Sequence, residues 1–497
     1  MSEWILKETD LKKYPHFDSH ISAADAQALA QDPQRVEKHS FYPFILFNES
    51  WTRFAPKGVA GKSKTRPIRY AARCDAYIFS YYRHLLAEKY EGELVRLGLG
   101  ATVLAYRGIK RASDGGGKCN IDFALEAVDA IKAAGNCTVL ALDISQFFET
   151  LNHDQLKSMW CRLFGVRRLA SDHFAVFSAI TKYAVVDKLA AYERLGYFGN
   201  KTNPKTGLSK PGYLKKYNSM PSQLCNGKRF REAITRSPSA KSVIKKNYKS
   251  YGIPQGAAIS DLLANLYMLD FDEAVREFVA NLSGTYLRYS DDILIVAPTG
   301  AVPATVLLAK LTSMLTKCAP GLEFKEAKSC VYEFKNETEG QSFCRILGSQ
   351  GRNGLEYLGF RYDGKQMYIR DATISGLHRK IARVAKQEAV THVKRYPDKG
   401  SADLVKNFGY EELIKSFGRV EEFQEHSDDY KTWTFWTYAR RATRLLGPIG
   451  KPIFKQLRGY ADWVRLRAIK EIEAAVIRRD KRTKSAALSL TAKSGHP

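Results

Sequence analysis

Three aspartates are the residues of this sequence best suited to chemistry. Asp291 and Asp292 are adjacent at a turn between two apolar runs that are predicted to be strands. Asp143 closes a run of β-forming residues that begins at Cys137. Mg²⁺ prefers oxygen ligands and is usually shared between one or two carboxylates and substrate phosphates. The three aspartates therefore indicate a divalent-metal site that acts on phosphate groups.

Such a site would catalyse phosphoryl transfer. Two ions roughly 3.5–4 Å apart stabilise the attacking and leaving oxygens of an in-line phosphoryl displacement. An Asp-Asp pair in a solvated turn is common by itself, so the surrounding residues must decide between a metal site and an ordinary turn. Clustered carboxylates repel one another without a metal, which favours the metal site if Asp143 lies beside the pair.

Five segments, in order along the chain, resemble the catalytic motifs of the reverse transcriptases. They are residues 143–148, 252–256 followed by 260–265, 289–292, 321–328 and 355–360. Upstream, residues 64–68 resemble the family's basic fingers segment, and residues 105–107 and 120–124 are similar to those of bacterial retron, abortive-infection and defence-associated members. The resemblance implies an α+β right-hand polymerase with fingers, a palm with an antiparallel sheet, a helical thumb and an α-helical C-terminal extension.

The resemblance also implies how the metal site is built. Asp143 and Asp291 would bridge two Mg²⁺ ions, with Mn²⁺ as an alternative, and Asp292 would lie at the edge of the cluster. Ile144, the next residue after Asp143, is included among the metal-site residues. One ion would act on the primer 3′-hydroxyl and the other on the incoming triphosphate. The three aspartates are thus the expected catalytic residues.

Phe148 is the expected determinant of sugar selection. By resemblance it lies beneath the nucleotide sugar, where its ring leaves no room for a 2′-hydroxyl. RNA-dependent RNA polymerases tend to have a carboxylate there and a Gly before the Asp pair, whereas this chain has Phe148 and Ser290. The alternative is an ordinary core aromatic. The resemblance therefore predicts dNTP substrates and a DNA product.

A Pro-Gln-Gly turn contributes two further nucleotide-binding candidates, Gln255 and Gly256. Its small residues let the backbone approach nucleotide and template closely. The apolar run that follows, at residues 262–269, predicts a buried helix beside the site.

Basic residues supply candidate phosphate contacts, because a guanidinium binds phosphate oxygens in a bidentate manner. Lys64 and Arg66 are expected to contact the nucleotide and Arg107 the nucleic acid, although most of the 78 Lys and Arg side chains must simply be solvated. Lys328 would act as a general acid toward the pyrophosphate leaving group. The remaining candidate nucleic-acid contacts are Tyr289 at the turn, Leu358 and Gly359 in the primer grip, and Arg379, Lys380 and Arg383 on a thumb helix whose basic face is otherwise a solvated surface.

Some positions depart from the family pattern. Ala257-Ala258 stands where Ser-Pro is usual, Asp261 where Pro is common, and Lys325 where Asn is frequent, but none of these is a metal ligand. The separation between Asp143 and Gln255 is long for the family, and within the interval 195–251 residues 201–212 are predicted to form an exposed loop. The interval is either a nucleic-acid-binding insertion or a tolerated surface elaboration, and the sequence leaves both open.

The domain organisation follows from these positions. We expect an N-terminal segment and fingers at 1–136, a palm at 137–370 with a fingers insertion at about 195–251, and a helical thumb and extension at 371–497. Apolar residues at helical spacing open the thumb. After it, the sequence has no second group of spaced carboxylates resembling an RNase H domain and no Cys or His cluster resembling a homing nuclease.

Composition agrees with a nucleic-acid partner. The net charge is +26 and the pI is near 9.6, which indicates salt-sensitive binding to a polyanion. A membrane surface would attract the same charge, but no apolar run of about 18 residues and no signal-like start is present, so a cytoplasmic protein without a membrane partner is expected. Eight cysteines without a Cys-x-x-Cys pair predict reduced thiols rather than zinc ligands or disulfides.

Three functions compete. The first is RNA-templated DNA synthesis on a dedicated noncoding RNA, with an antiphage role and homo-oligomers of the kind found among stand-alone bacterial reverse transcriptases. The second is a protein-primed or template-independent DNA polymerase, in which a Tyr or Ser hydroxyl replaces the primer; the 27 tyrosines identify no candidate. The third is a catalytically idle RNA-binding scaffold, which the three retained aspartates argue against.

Overall fold

A computed structural model describes residues 3–52, 63–202, 207–216, 219–235, 242–349, 351–417 and 435–491. Contacts divide the chain into two units that alternate along the sequence. The first unit comprises Met1–Arg107, Leu142–Ile295 and Gly300–Glu326, and the second comprises Gly108–Ala141, Val296–Thr299 and Ala327–Pro497.

Helices are spread over both units. Their bounds are α1 (Ala23–Gln31), α2 (Pro33–Glu37), α3 (Arg73–Arg96), α4 (Asn120–Ala134), α5 (His153–Phe164), α6 (Ser171–Thr181), α7 (Lys188–Arg194), α8 (Gly227–Phe230), α9 (Ser260–Tyr267), α10 (Leu269–Asn281), α11 (Ala304–Cys318), α12 (Asp371–Arg395), α13 (Ser401–Lys406), α14 (Tyr410–Lys415), α15 (Phe435–Leu446), α16 (Pro452–Gln456) and α17 (Tyr460–Thr491).

Strands are short and mostly antiparallel. Their bounds are β1 (Phe44–Thr52), β2 (Ser63–Tyr70), β3 (Cys137–Asp143), β4 (Ala184–Asp187), β5 (Phe198–Thr202), β6 (Ser209–Tyr213), β7 (Ile244–Lys246), β8 (Thr285–Tyr289), β9 (Asp292–Pro298), β10 (Cys330–Glu337), β11 (Gly340–Leu347), β12 (Leu355–Tyr357), β13 (Phe360–Tyr362) and β14 (Met367–Ile369).

A four-stranded sheet in the order β2-β1-β4-β7 organises part of the first unit. Strands β1 and β2 are antiparallel with Ile45 opposite Tyr70, whereas β1 and β4 are parallel. Ile45 and Val186 enter a core cluster with Phe17 and Tyr192. Burial of this apolar face fixes the register, and the register in turn fixes the position of the basic strand β2.

Two helices of the first unit lie close to the predicted motifs. In α5, Asn152 accepts a hydrogen bond from the Gln155 N–H, and Gly165 ends the helix in a left-handed conformation. In α9, all residues except Asp261 are buried, so the buried helix predicted after the Pro-Gln-Gly turn is confirmed.

The second unit combines small sheets with long helices. Residues 137–141 of β3 pair antiparallel with β10, which pairs antiparallel with β11. Strands β12, β13 and β14 form a three-stranded antiparallel sheet. Every fourth residue of α12 is buried from Leu377 to Val393, and the last of these pack against Ile472 and Val476 of α17. This spacing is that of an amphipathic helix, as predicted for the start of the thumb.

The predicted α+β fold is confirmed, with antiparallel sheets and a helical C-terminal region. One local prediction is wrong, because residues 201–212 are not simply a loop. Strands β5 and β6 form an antiparallel hairpin, and the Phe198 and Tyr213 rings meet edge to face with centroids 5.5 Å apart. This cross-strand aromatic pair stabilises strands that the Gly, Pro and Lys content does not suggest; residues 203–206 lie outside the described residues.

Among the described helices, none is both long enough and apolar enough to cross a membrane.

Candidate active site

The Asp-Asp turn joins strands β8 and β9. Ser290 adopts a left-handed backbone with φ of 61° and is 4% exposed. This conformation is uncommon for a residue other than glycine and persists only where its surroundings enforce it. Asp291 follows within the turn, Asp292 begins β9, and both side chains are partly exposed. The turn therefore presents its two carboxylates at the surface of the hairpin.

The end of β3 lies directly beside this turn. The Ile144 N–H donates to the Asp291 carbonyl at 3.0 Å. On its other side, Ile144 pairs with Phe324, and the Lys325 N–H donates to the Asp143 carbonyl at 2.7 Å. Asp143 is 5% exposed. The backbone thus brings Asp143 and Asp291 together, from positions well separated in sequence.

The donor set suits a hard divalent cation, because it consists of carboxylates and backbone carbonyls. Among the residues that the structure describes, no three His, Cys, Asp or Glu side chains are gathered closely enough to hold a metal ion by themselves. Mg²⁺ rarely uses an all-protein cage and normally completes its shell with water and substrate phosphates. Asp143, Asp291 and Asp292 therefore fit an ion that is shared with a bound nucleotide.

A fully buried ion pair holds the backbone of the turn. Arg288 and Asp272 are both 0% exposed and form two hydrogen bonds of 2.7 and 2.6 Å. The guanidinium also donates to the Asn265 side-chain oxygen at 3.0 Å and to the Ser290 carbonyl at 3.1 Å, and Tyr286 donates to Asp272 at 2.7 Å. Although burial opposes its charged form, the Asp272 carboxylate raises the pKa of Arg288. The arginine therefore stays charged and holds the turn through Ser290.

A second set of contacts reaches the same turn from Arg83 and Tyr106. The hydroxyls of Tyr106 and Ser290 are hydrogen-bonded at 3.1 Å. Arg83 donates to the Tyr106 carbonyl at 3.1 Å and forms a two-point ion pair with Asp261, with distances of 3.0 Å. Burial raises the pKa of the Tyr106 phenol, and the negative charge of Asp291 acts in the same direction although the bond to Ser290 opposes it. Asp261, which stands where the family commonly has Pro, thus holds Arg83 beside Tyr106.

The Gly-Ile-Pro-Gln-Gly segment packs against the segment that follows Asp143. The Ile253 N–H donates to the Phe148 carbonyl at 2.8 Å. Gly252 has a φ of 87°, and a Cβ there would lie 2.8 Å from the Glu149 carbonyl. Only glycine tolerates both conditions. Gly252 therefore allows a close backbone approach to the segment that follows Asp143.

Gly256 makes a similar approach to β2. A Cβ on it would lie 2.6 Å from the Arg69 carbonyl, and the Arg69 N–H donates to the Gln255 carbonyl at 2.8 Å. The Arg69 guanidinium pairs with both Glu149 oxygens at 2.5 and 3.1 Å and lies 5.4 Å from the Tyr183 ring centroid. Arg69 therefore ties the basic strand, the Pro-Gln-Gly turn and the segment after Asp143 together.

Phe148 is the less buried of two adjacent aromatics. Phe147 is 4% exposed and fills the core, whereas Phe148 is partly exposed and its ring centroid lies 5.5 Å from that of Phe147. Gln146 precedes them with a φ of 47°. An open cleft of about 700 Å³ adjoins this segment and is lined by Thr65, Pro67, Gln146, Glu149, Thr150, Asn152, Lys249, Tyr251, Pro320 and Gly321.

The basic candidates of the first unit differ in their surroundings. Lys64 and Arg66 lie on β2, with Lys64 partly exposed and Arg66 exposed. Arg107 has partners within the protein instead. Its guanidinium pairs with Glu91 at 2.7 Å and donates to the Gly100 carbonyl at 2.7 Å. Its side chain is 8% exposed. Arg107 therefore has structural partners within the protein, and its contact with nucleic acid stays a prediction.

Tyr289 ends β8 in the first unit, and the other predicted residues belong to the second unit. Lys328 is partly buried two residues before β10. Leu358 and Gly359 form the turn between β12 and β13 with φ of 46° and 90°, and the Leu358 carbonyl accepts a hydrogen bond from Asn120 at 3.1 Å. The exposed face of α12 carries Arg379, Lys380 and Arg383. Their roles remain predictions.

Several residues that support the site were not singled out from the sequence. They are Arg69, Arg83, Tyr106, Arg288 and Asp272. For Arg288 a signal existed, because an arginine within the apolar alternation of a strand must find a partner if it is buried. For the others, the pairing depends on contacts between distant segments.

Solved structures that resemble the chain include two yeast telomerases. With telomerase from Candida albicans, in complex with a fragment of telomeric RNA, the identity is 11% and the TM-score 0.33, covering 91% of this chain and 63% of that one. With apo telomerase from Candida tropicalis, the identity is 12% and the TM-score 0.36, covering 91% and 66%. The chain thus spans less than two thirds of either telomerase. No curated protein sequence matches significantly.

A family model gives a more specific result. Residues 216–362 match the model described as reverse transcriptase (RNA-dependent DNA polymerase). The match includes the Gly252–Gly256 segment, helix α9 and the Asp291-Asp292 turn, whereas Asp143 and Phe148 lie before it. Residues 216–362 are therefore similar to a reverse transcriptase domain.

Proposed function

We propose that this protein extends a primer end with dNTPs on an RNA template, using Asp143, Asp291 and Asp292 as its catalytic carboxylates. The observation that carries the proposal is the hydrogen bond from Ile144 to the Asp291 carbonyl. It joins the end of β3, which lies outside the matched family segment, to the turn inside that segment. The hydrogen bond therefore supports a site that combines Asp143 with the Asp291-Asp292 turn.

The carboxylates would hold two divalent ions, most naturally Mg²⁺. When bound, such ions lower the pKa of the attacking hydroxyl and neutralise charge on the triphosphate. The protein's own contribution is to hold the carboxylates in place. Arg288 and Tyr106 fix Ser290, and Ile144 fixes Asp291. Preorganised charges of this kind need no rearrangement when the reaction occurs.

The nucleotide would lie against Phe148 and the Pro-Gln-Gly turn. The Arg69 N–H binds the Gln255 carbonyl and its guanidinium pairs with Glu149. These contacts would keep the surface beside Phe148 rigid. Lys64 and Arg66 on β2 would meet the triphosphate, and Lys328 would protonate the pyrophosphate. In the thumb, Arg379, Lys380 and Arg383 would contact the product duplex, with Leu358 and Gly359 at the primer end.

Phe148→Val should admit ribonucleotides. The smaller side chain leaves space for a 2′-hydroxyl, and one lost steric contact of about 1–3 kcal/mol corresponds to roughly 10- to 200-fold in discrimination. The test compares kcat/KM for a dNTP and the matching rNTP in wild type and variant. Phe174→Val, a change at an exposed phenylalanine of α6 (45% exposed), is the matched control. Unchanged discrimination in Phe148→Val would place the sugar selection elsewhere.

Tyr106→Phe should slow incorporation by about 2- to 10-fold, because it removes one neutral hydrogen bond of roughly 0.5–1.5 kcal/mol from the catalytic turn. The KM for dNTP and the melting temperature should change little, since the ring remains. Tyr396→Phe removes the same atom from a tyrosine that is 44% exposed and serves as the control. A single-turnover rate equal to that of wild type would contradict a positioning role for the Tyr106 hydroxyl.

The biological setting we propose is antiphage defence on a dedicated noncoding RNA. It rests on the resemblance of residues 105–107 and 120–124 to defence-associated bacterial members and on the net charge of +26, which favours a nucleic-acid partner. We propose the cytoplasm as its location, with fingers at 1–136, palm at 137–370 and thumb and extension at 371–497. Homo-oligomers belong to the same proposal.

The experiment that tests this function uses the protein as it is purified from cells. Its bound RNA is sequenced, labelled dNTPs and Mg²⁺ are added, and the products are compared before and after protease treatment. DNA complementary to one discrete RNA, and unchanged by protease, is the expected result. Products with no template in the bound RNA would contradict the proposal.

Protein priming is the second candidate. A product that shifts in size after protease treatment would establish that a side-chain hydroxyl supplies the primer end.

A further inference from the structure

The segment 195–251 concentrates positive charge. It contains thirteen Lys and Arg residues and a single acidic residue, Glu232, so its net charge is +12 out of +26 for the whole chain. All ten of those basic side chains that the structure describes are exposed. Charges of one sign held at a surface raise the local concentration of a polyanion. The segment is therefore built as an electropositive surface within the first unit.

The end of this segment adds exposed aromatic rings. Tyr248 is 87% exposed and Tyr251 is 40% exposed, and the Lys249 ammonium lies 5.0 Å from the Tyr251 ring centroid. Lys245 and Lys246 are exposed on β7 immediately before them. A tyrosine ring at nearly full exposure gains nothing from the protein interior. Rings interleaved with cations are the arrangement that binds bases and phosphates together.

The backbone that carries these rings is firmly anchored. The Asn247 side chain donates to the Thr181 carbonyl at 3.0 Å and to the Tyr251 carbonyl at 3.2 Å. The Asn247 N–H donates to the Tyr183 carbonyl at 2.8 Å, and the His153 N–H donates to the Ser250 carbonyl at 2.9 Å. An anchored loop loses less entropy when it binds a ligand. Tyr248 is thus held outward by a preorganised loop.

The anchored loop also borders the cleft of about 700 Å³ beside the candidate active site. Lys249 and Tyr251 line one part of that cleft, and Gln146 and Glu149, which flank Phe148, line another. A strand bound to the loop would therefore lie next to the residues proposed to hold the nucleotide.

We propose that residues 242–251 bind a single strand of nucleic acid, with bases stacked on Tyr248 and Tyr251 and phosphates on Lys245, Lys246 and Lys249. The strand is the RNA that the enzyme copies, and to that extent the inference rests on the proposed function. A single strand fits better than a duplex, because only unstacked bases can use the ring faces. The interval 195–251 is then a nucleic-acid-binding insertion rather than a tolerated surface elaboration.

The first test neutralises the three lysines. In Lys245→Gln/Lys246→Gln/Lys249→Gln, binding of a short labelled single-stranded RNA to the full chain, without nucleotides, should weaken. The slope of log K against log salt should become shallower by about 2, since each lost phosphate contact on a single strand contributes about 0.7. The control is Lys12→Gln/Lys13→Gln/Lys38→Gln, three exposed lysines of the same unit, for which the slope should stay unchanged. Equal slopes in the two triple variants would overturn the proposal.

The second test addresses the rings. Tyr248→Ala should weaken single-strand binding by about 5- to 100-fold, the range expected for one lost base stack. Tyr248→Phe should retain binding, and blunt duplex RNA should bind both variants like wild type. Tyr396→Ala, at a tyrosine that is 44% exposed, is the control. Equal losses for duplex and single strand, or preferential binding of the wild type to anionic vesicles through the same lysines, would overturn the assignment to single strands.

Because binding is measured without nucleotides, the two proposals can fail separately. Loss of strand binding in the variants, combined with a wild type that makes no DNA, would support this surface and contradict the proposed function. Wild-type DNA synthesis combined with unchanged binding in the variants would support the proposed function and contradict this surface.

Discussion

Asp143→Asn and Asp291→Asn should each reduce nucleotide incorporation by at least about 10³-fold, which corresponds to roughly 4 kcal/mol of transition-state stabilisation. Each change removes the negative charge of a proposed metal ligand while keeping the shape of the side chain. Metal ions contribute several kcal/mol of charge stabilisation to such reactions, so losing a ligand has a large effect. The measurement is single-turnover incorporation on a primed RNA template at saturating Mg²⁺.

The fold and the binding of RNA should survive these changes. The contacts that join Ile144 to Asp291 and Lys325 to Asp143 use backbone atoms, which the substitutions leave in place. Asp398→Asn, at an exposed aspartate, is the matched control and should keep full activity. Unfolding of both active-site variants, or activity within tenfold of wild type, would contradict the assignment of these residues as metal ligands.

Arg288→Met should destabilise the protein by about 3–5 kcal/mol, because it leaves the Asp272 carboxylate buried without its partner. Both side chains are 0% exposed, so water cannot replace the lost hydrogen bonds. The turn should loosen as well, since the guanidinium also holds the Ser290 carbonyl. The measurements are the free energy of unfolding in denaturant and amide hydrogen exchange in residues 286–292.

A double variant separates the ion pair from simple packing. Arg288→Met/Asp272→Leu should be less destabilised than the sum of the single changes, because replacing both members of a buried pair by apolar groups removes the unpaired charge. On the surface, Arg96→Met breaks an ion pair with Glu93 whose arginine is 66% exposed, and the loss of stability should be small because solvent screens the pair. A loss in Arg288→Met no larger than that in Arg96→Met would contradict the proposed role of the buried pair.

The sequence predicted the elements that carry local patterns. Strand β3 ends at Asp143 as expected, and β8 and β9 flank the Asp-Asp turn, because alternating and apolar runs of β-formers specify strands. Helix α12 begins at Asp371 and buries every fourth residue, because its apolar positions follow the helical period. These features depend on neighbouring residues, which a sequence displays directly.

The residues that hold the Asp-Asp turn in place depend instead on contacts between segments that are distant in sequence. Thr102 and Leu104 exchange backbone hydrogen bonds with Arg288, and this pairing brings Tyr106 to Ser290, although 184 positions separate the two. No local pattern marks such a meeting. Asp261 departs from the family pattern, and the sequence does not show that it forms an ion pair with Arg83.

Arg107 has partners within the protein that the sequence did not reveal. An arginine beside a predicted motif suggested a contact with nucleic acid, but its guanidinium is used by Glu91 and by backbone carbonyls. Sequence shows the charge of a side chain but does not show its partner. In a chain with 78 Lys and Arg residues, only the fold separates the structural cations from those that face solvent.

The most direct test of the central claim is template-dependent synthesis by the purified wild-type protein. Synthetic RNA templates that differ only in the sequence beyond the primer are supplied with all four dNTPs and Mg²⁺, and the products are sequenced. We predict DNA that changes with each template and is its complement, and no such product from Asp143→Asn. Products that are identical whichever RNA is supplied, or equal synthesis by Asp143→Asn, would contradict RNA-directed DNA synthesis at this site.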